Sequence, residues 1–395
     1  MARHFIFVAV PFLPCRQTAY YESLEMLLTT TGRRDLILIT GCEPNHQHRL
    51  RQSTKMDAIE KFIEQMPKVE LHVHLEGSVQ PQTLLKLANR HHIALPADNL
   101  KSLHEWYTFR DFSHFLEIYM AIAGCLQTAE DIELIAREFL AGQAAQNIVY
   151  SEITFTPYNQ YFINGLGFHE QMDAVNRARQ WGEKELGVQM GIIMDIPRQV
   201  TSAEGDVIAN WAIERYGDGL IAFGLGGPEI GNPPQKFQTA FDKVRTADIP
   251  CILHAGETDG AGSIWNAIKT ADSQRIGHGV RAIEDHKLMD YLRDKQIPLE
   301  VCPTSNVCLK VFPSLSEHSL PQLLDHGLFI TINSDDPPMF NTTLTREYIA
   351  GQRTWNWSRD TIETLVLNAV DVTLLAEDEK VAMRREFERR FAQIS

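Results

Sequence analysis

Lys68-Val69-Glu70-Leu71-His72-Val73-His74 reads as a β-strand, and its core, Val69 to Val73, is the first of eight short β-branched runs in the chain. The others are Val149 to Thr154, Gln189 to Met194, Leu220 to Gly224, Ile249 to Leu253, Arg275 to Gly277, Leu299 to Val301 and Phe329 to Asn333. Longer helical stretches separate them, and that alternation marks a parallel α/β architecture. Eight repeats predict a (β/α)₈ barrel, a fold that takes about 250 residues and can exceed 400 with insertions, so 395 residues fit one barrel. The rival, a doubly wound dinucleotide-binding sheet, is disfavoured at Gly224-Leu225-Gly226-Gly227-Pro228-Glu229-Ile230-Gly231. That stretch lacks the G-x-G-x-x-G spacing and runs into Pro233 and Pro234 where a helix should start.

More than seventy residues lie between the first two runs, too many for one crossover helix, so extra helices are expected there. Their aromatic residues Trp106, Tyr107, Phe109, Phe112 and Phe115 read first as core packing and second as a lid over a site. Upstream, residues 1 to 55 read as an appendage of uncertain structure or a misassigned start, and 56 to 395 as the barrel. The apolar run Phe5 to Leu13 is interrupted by Pro11 and precedes Pro14, with no Ala-x-Ala site after it, which argues against a signal peptide.

Composition narrows the function. A hydrophobic fraction of 44% and a charged fraction of 22% suit an ordinary globular chain. A formal charge of -14 opposes nonspecific nucleic-acid binding, which needs clustered Lys and Arg, so a small-molecule partner is the natural expectation. Six irregularly spaced cysteines and the lack of any membrane-length apolar stretch lead to an expected cytoplasmic location. Oligomeric state is not legible.

The chemistry-bearing residues gather at the C-terminal ends of the predicted strands, where barrel enzymes build their sites. His72 and His74, at i and i+2 of one strand, point to one face and suit one metal, although such a pair also occurs as hydrogen-bonded core residues. His254-Ala255-Gly256-Glu257 ends the fifth run. There the glycine lets the chain turn so that Glu257 reaches the same pocket, or Glu257 merely favours a helix start. His278 lies between Gly277 and Gly279 at the sixth strand end, and Asp335-Asp336 follow the eighth. Adjacent acids in a barrel mouth repel unless a cation or proton separates their roles. His72, His74, His254 and Asp335 together make an N₃O set suited to one Zn²⁺ with room for a water.

These motifs, with Glu300-Val301-Cys302-Pro303 and Ser334-Asp335-Asp336-Pro337, resemble the adenosine deaminase family from about Pro67 to near Leu375. The resemblance implies zinc held by His72, His74, His254 and Asp335. It implies a purine held by the Gly227 N–H and protonated at N1 by Glu257, with His74, Glu76 and Asp336 also against the substrate. His278 and Asp336 would orient and deprotonate the attacking water, making Glu257, His278 and Asp336 the catalytic set. The expected reaction is deamination of adenosine, and of deoxyadenosine, to the inosine product and ammonia.

The pattern departs from the family at Glu76, where adenosine deaminases usually carry Asp. Glu76 is similar to the residue of adenine deaminases and aminodeoxyfutalosine deaminases, which are the alternatives. Gly277 stands where adenine-specific relatives usually have Asp, and Ser334 to Phe340 looks more like nucleoside deaminases, which keeps adenosine first. A catalytically silent purine-binding barrel would have lost a ligand or Glu257, and none is lost. The fourth run, Leu220 to Gly224, ends without the lysine of two-metal relatives, and no cytidine-type P-C-x-x-C motif occurs.

Overall fold

A computed structural model describes residues 58–394. The appendage expected over residues 1 to 55 lies outside the described residues. Eight parallel strands follow in sequence order around one sheet: β1 Lys68–His74, β2 Ile148–Phe155, β3 Gln189–Pro197, β4 Leu220–Gly226, β5 Cys251–Ala255, β6 Arg275–His278, β7 Leu299–Val301 and β8 Ile330–Ile332. Each expected run falls on one of them. They are buried on both faces, which is why they read as apolar runs with few polar interruptions.

Closure of the barrel falls to the segment just beyond β8. Asp335 N–H donates to the His72 carbonyl at 3.0 Å and His74 N–H to the Asp335 carbonyl at 2.9 Å. Below this bridge the Asn333 carboxamide substitutes for a strand, its Oδ1 accepting from Leu71 N at 2.9 Å and His72 N at 3.1 Å. The seam thus runs through His72, His74 and Asp335.

Two apolar clusters divide the core. The larger lies between strands and helices. The smaller consists of Ile193, Ala222 and Ile252, with Leu374 packed on it. Ile193 is two residues from Asp195, which lines the cavity described below, so strand alternation puts this small cluster inside the barrel as its floor.

The insertion between β1 and β2 carries helices Pro81–Arg90, Leu100–Trp106, Phe112–Gly124 and Ala129–Ala145. Buried Asp131 ties the first to the last. It accepts from Arg90 at 2.6 Å and His91 at 2.7 Å, and also from the Thr128 N–H at the start of its own helix. In Phe112–Gly124, Phe112, Phe115, Leu116, Tyr119 and Met120 share one helical face, and that face is a cavity wall. Phe115 also stacks on Phe340 with centroids 5.6 Å apart, so the aromatic stripe is both core and wall. No helix among the described residues is long and apolar enough to cross a membrane.

Candidate active site

The strand ends open into a cavity of about 360 Å³. Strand geometry brings the two β1 histidines to its floor. His72 and His74 come from one face of β1, His254 from β5 opposite, and Asp335 from the closing bridge. The donor atoms of these four residues all lie within 4.8 Å of one another. His74 Nε2 is 3.0 Å from His254 Nε2 and 3.3 Å from Asp335 Oδ1, while His72 Nε2 is buried with no hydrogen-bond partner. An orphaned ring nitrogen aimed at two further imidazoles and a carboxylate is a costly arrangement without a cation, and an N₃O donor set suits Zn²⁺. The residues therefore fit a metal.

The surroundings hold that set in place. His72 Nδ1 is 2.8 Å from Glu300 Oε2, and a carboxylate there leaves the Nε2 lone pair free for a metal. Glu300 is in turn bound by Arg275 Nε at 2.6 Å, and the same guanidinium pairs with Glu152. Burial alone would raise Glu300, but Arg275 and His72 hold it below the usual carboxylate range. Gly277 makes room for the imidazole, since a Cβ there would meet His72 Cε1 at 2.7 Å.

Glu257 follows Gly256, whose φ of +70° turns the chain back towards the cavity. The Glu229 carboxylate fixes this turn by accepting from Gly256 N, Glu257 N and Thr258 N at 2.8 to 2.9 Å, and from the Ser263 hydroxyl. Burial, reinforced by the charge of Asp335, pushes Glu257 well above the usual carboxylate range, and its Oε1 has no partner. Glu257 Oε2 is 3.7 Å from His278 Nε2. Burial holds the His278 imidazole neutral, with a pKa of about 4.

The adjacent acids separate as the sequence suggests. For Asp335, burial is outweighed by its hydrogen bond from His74 and by the neighbouring imidazoles, which keep it ionised. For Asp336, burial and the Asp335 charge both act upward and place its carboxyl above the usual carboxylate range. Both His278 and Asp335 sit in the left-handed region, at φ 60° and 65°. Each such residue costs on the order of 1 to 3 kcal/mol, strain that the closing bridge and the packed strand ends must hold.

Of the nine residues singled out from sequence, His74, Gly227, His254, Glu257, His278, Asp335 and Asp336 line the cavity. His72 lies immediately beneath. Glu76 does not reach the cavity wall. It is fully buried, its Oε1 accepts from Thr156 N at 3.1 Å, its Oε2 has no partner, and burial pushes its pKa up to about 7. A further acid that lines the cavity is Asp195, on β3, clamped by the Thr156 hydroxyl. Asp195 escaped the sequence reading although a lone acid within Met190–Ile196, otherwise Gly and apolar residues, is a signal in its own right. Glu229 escaped because its loop reads as a simple tight turn.

Residues 67–389 match the adenosine deaminase family. The chain belongs to that family. Its match extends past Leu375 into the last helix, Glu377–Gln393. Among similar proteins, the aminodeoxyfutalosine deaminase of Streptomyces avermitilis is 36% identical over 332 residues, covering 84% of this chain and 92% of that one. The adenine deaminase of Wolinella succinogenes is also 36% identical, covering 82% and 98%. The crystal structure of adenine deaminase from Arthrobacter aurescens superposes with a TM-score of 0.79 at 30% identity, covering 82% and 98%. As a member of the adenosine deaminase family, the chain is a hydrolytic deaminase.

Proposed function

We propose that this enzyme hydrolyses the 6-amino group of a purine that carries no phosphate, with aminodeoxyfutalosine first among substrates and one Zn²⁺ per chain. The observation that carries the reading is the convergence of His72, His74, His254 and Asp335 beneath a cavity that Glu257, His278 and Asp336 share. When bound, the ion supplies the Lewis acidity that makes water nucleophilic near neutral pH.

The chain's own residues supply the rest. The Gly227 backbone orients the purine edge. Glu257, kept protonated by burial, donates to N1 as the water oxygen adds at C6. Asp336 takes the proton released by that water and returns it to the exocyclic nitrogen. The C6–N bond then breaks, ammonia leaves, and the proton still on the C6 oxygen passes to the Glu257 carboxylate as the 6-oxo group forms.

Substrate size follows from the walls. About 360 Å³ lies within the range of pockets for drug-sized ligands, and the wall continues from Phe115 and Tyr119 to Phe162, which is 72% exposed at the rim. The Arabidopsis relatives in complex with GMP and IMP share the fold alone, whereas among the described residues no Lys or Arg lines this cavity, which speaks against a phosphorylated substrate.

Adenine is the second reading, favoured by the Arthrobacter and Wolinella relatives. Adenosine, put first by the sequence, now follows these two, because the relatives reported above are named for other substrates. Ammonia release by the Zn²⁺-loaded enzyme from aminodeoxyfutalosine, adenine, adenosine, deoxyadenosine and AMP tests the order. A highest kcat/KM on AMP would refute the cavity argument, and inactivity on all five would refute the deaminase assignment to a purine.

A further inference from the structure

Behind His278, away from the cavity, lies a chain of hydrogen bonds whose direction is fixed at its far end. The Leu320 backbone N–H contacts His318 Nδ1 at 3.0 Å. A main-chain amide only donates, so Nδ1 accepts and the neutral His318 ring carries its proton on Nε2. That nitrogen faces Asn306 Oδ1 at 3.1 Å. The Asn306 carboxamide is thereby oriented, and its Nδ2 faces His278 Nδ1 at 3.3 Å. Donation from Nδ2 occupies the Nδ1 lone pair of His278 and puts the His278 proton on Nε2.

The chain is buried throughout and braced. Asn306, His318 and His278 are each at most 1% exposed. The Asn306 backbone carbonyl accepts from Val311 N at 2.9 Å and Phe312 N at 3.1 Å, and the His318 ring lies against Phe312 at a centroid distance of 4.4 Å. On the cavity side, His278 Nε2 faces Glu257 Oε2 at 3.7 Å and the ionised Asp335 at 4.0 Å.

We propose that His318 and Asn306 are positioning residues that lock His278 as its Nε2–H tautomer. His278 then serves the reaction as a hydrogen-bond donor to the oxygen adding at C6, and proton acceptance falls to Asp336 alone. This assignment rests on the deaminase reading for its catalytic half, while the tautomer half stands on the hydrogen bonds.

The two halves are tested together in the full-length, Zn²⁺-loaded protein labelled with nitrogen-15 histidine. Long-range proton–nitrogen correlations distinguish the tautomers, and His278→Gln identifies the signal. The wild type is expected to show His278 unprotonated at Nδ1. Asn306→Asp has no hydrogen to give and is expected to bring a proton to Nδ1, lowering kcat about 10²-fold with KM little changed. His318→Phe keeps the ring packing, frees the Asn306 amide, and is expected to yield mixed tautomers and a loss of about tenfold, half of that donor effect on a logarithmic scale. An Nδ1–H tautomer in the wild type, or an unchanged tautomer in both variants, overturns the assignment. If Asn306→Asp does not fold, the wild-type spectrum and His318→Phe still decide. An Nε2–H tautomer in an enzyme inactive on every purine would uphold the lock and refute the deaminase reading.

Discussion

Gly77→Ala is the sharpest test of Asp336 as proton acceptor, because it adds one methyl group to a residue that carries no chemistry. A Cβ at position 77 would lie 2.5 Å from Asp336 Cγ and 2.8 Å from Asp336 Cβ, overlapping Oδ1 outright. Ordinary contact at such a Cβ begins at 3.4 Å, so the carboxyl must retreat by about 1 to 2 Å. A shift of about 1 Å in a catalytic group can cost about 10²-fold, and complete loss of a general base 10² to 10⁴-fold. The expected fall in kcat/KM therefore lies between about 10² and 10⁴, with Asp336→Asn marking the floor. None of the metal-binding donors is displaced by the new methyl group, so zinc content should stay at one per chain. Steady-state kinetics at saturating Zn²⁺, with circular dichroism to check folding, measures both. A folded, zinc-loaded Gly77→Ala enzyme within threefold of wild type would refute the reasoning.

Glu300→Gln replaces the acceptor for His72 Nδ1–H by a carboxamide that also faces Arg275, and is expected to weaken Zn²⁺ affinity about 10 to 100-fold in a chelator competition. Affinity within twofold of wild type would show that Glu300 does not orient the ligand. Glu347 is fully buried, accepts from Thr304 N at 3.0 Å and from the Thr342 hydroxyl, and burial raises its pKa from 4.5 to about 7. A raised folded-state pKa means stability complete below pH 4.5 and lost as pH rises through about 7, a loss of up to about 3 kcal/mol at 1.36 kcal/mol per unit. Glu347→Gln should therefore match wild type in melting temperature near pH 4.5 and exceed it at pH 8.5. An equal difference at both pH values would contradict the shift.

What the sequence determined by itself was the strand count, the barrel and most of the cavity floor. Doubly buried parallel strands must be short and apolar, so any polar residue at their C-terminal ends is conspicuous, as His72, His74, His254 and His278 are. Spacing also showed that residues 75 to 147 exceed one crossover. Tertiary structure alone decided that Asp195 lines the cavity while Glu76 does not. Glu76 is adjacent in sequence to the β1 motif, yet the turn Glu76–Ser78 buries it against Thr156, while Asp195 reaches the wall from β3, into space left by Gly226. The same holds for the supports of the site. Glu229 with Glu257, Arg275 with Glu152, and His318 with Asn306 meet only when the chain is folded. Local periodicity reports which face of an element is apolar. The partners of a buried polar group are set by contacts between elements far apart in sequence, and the closing of the barrel brings those together.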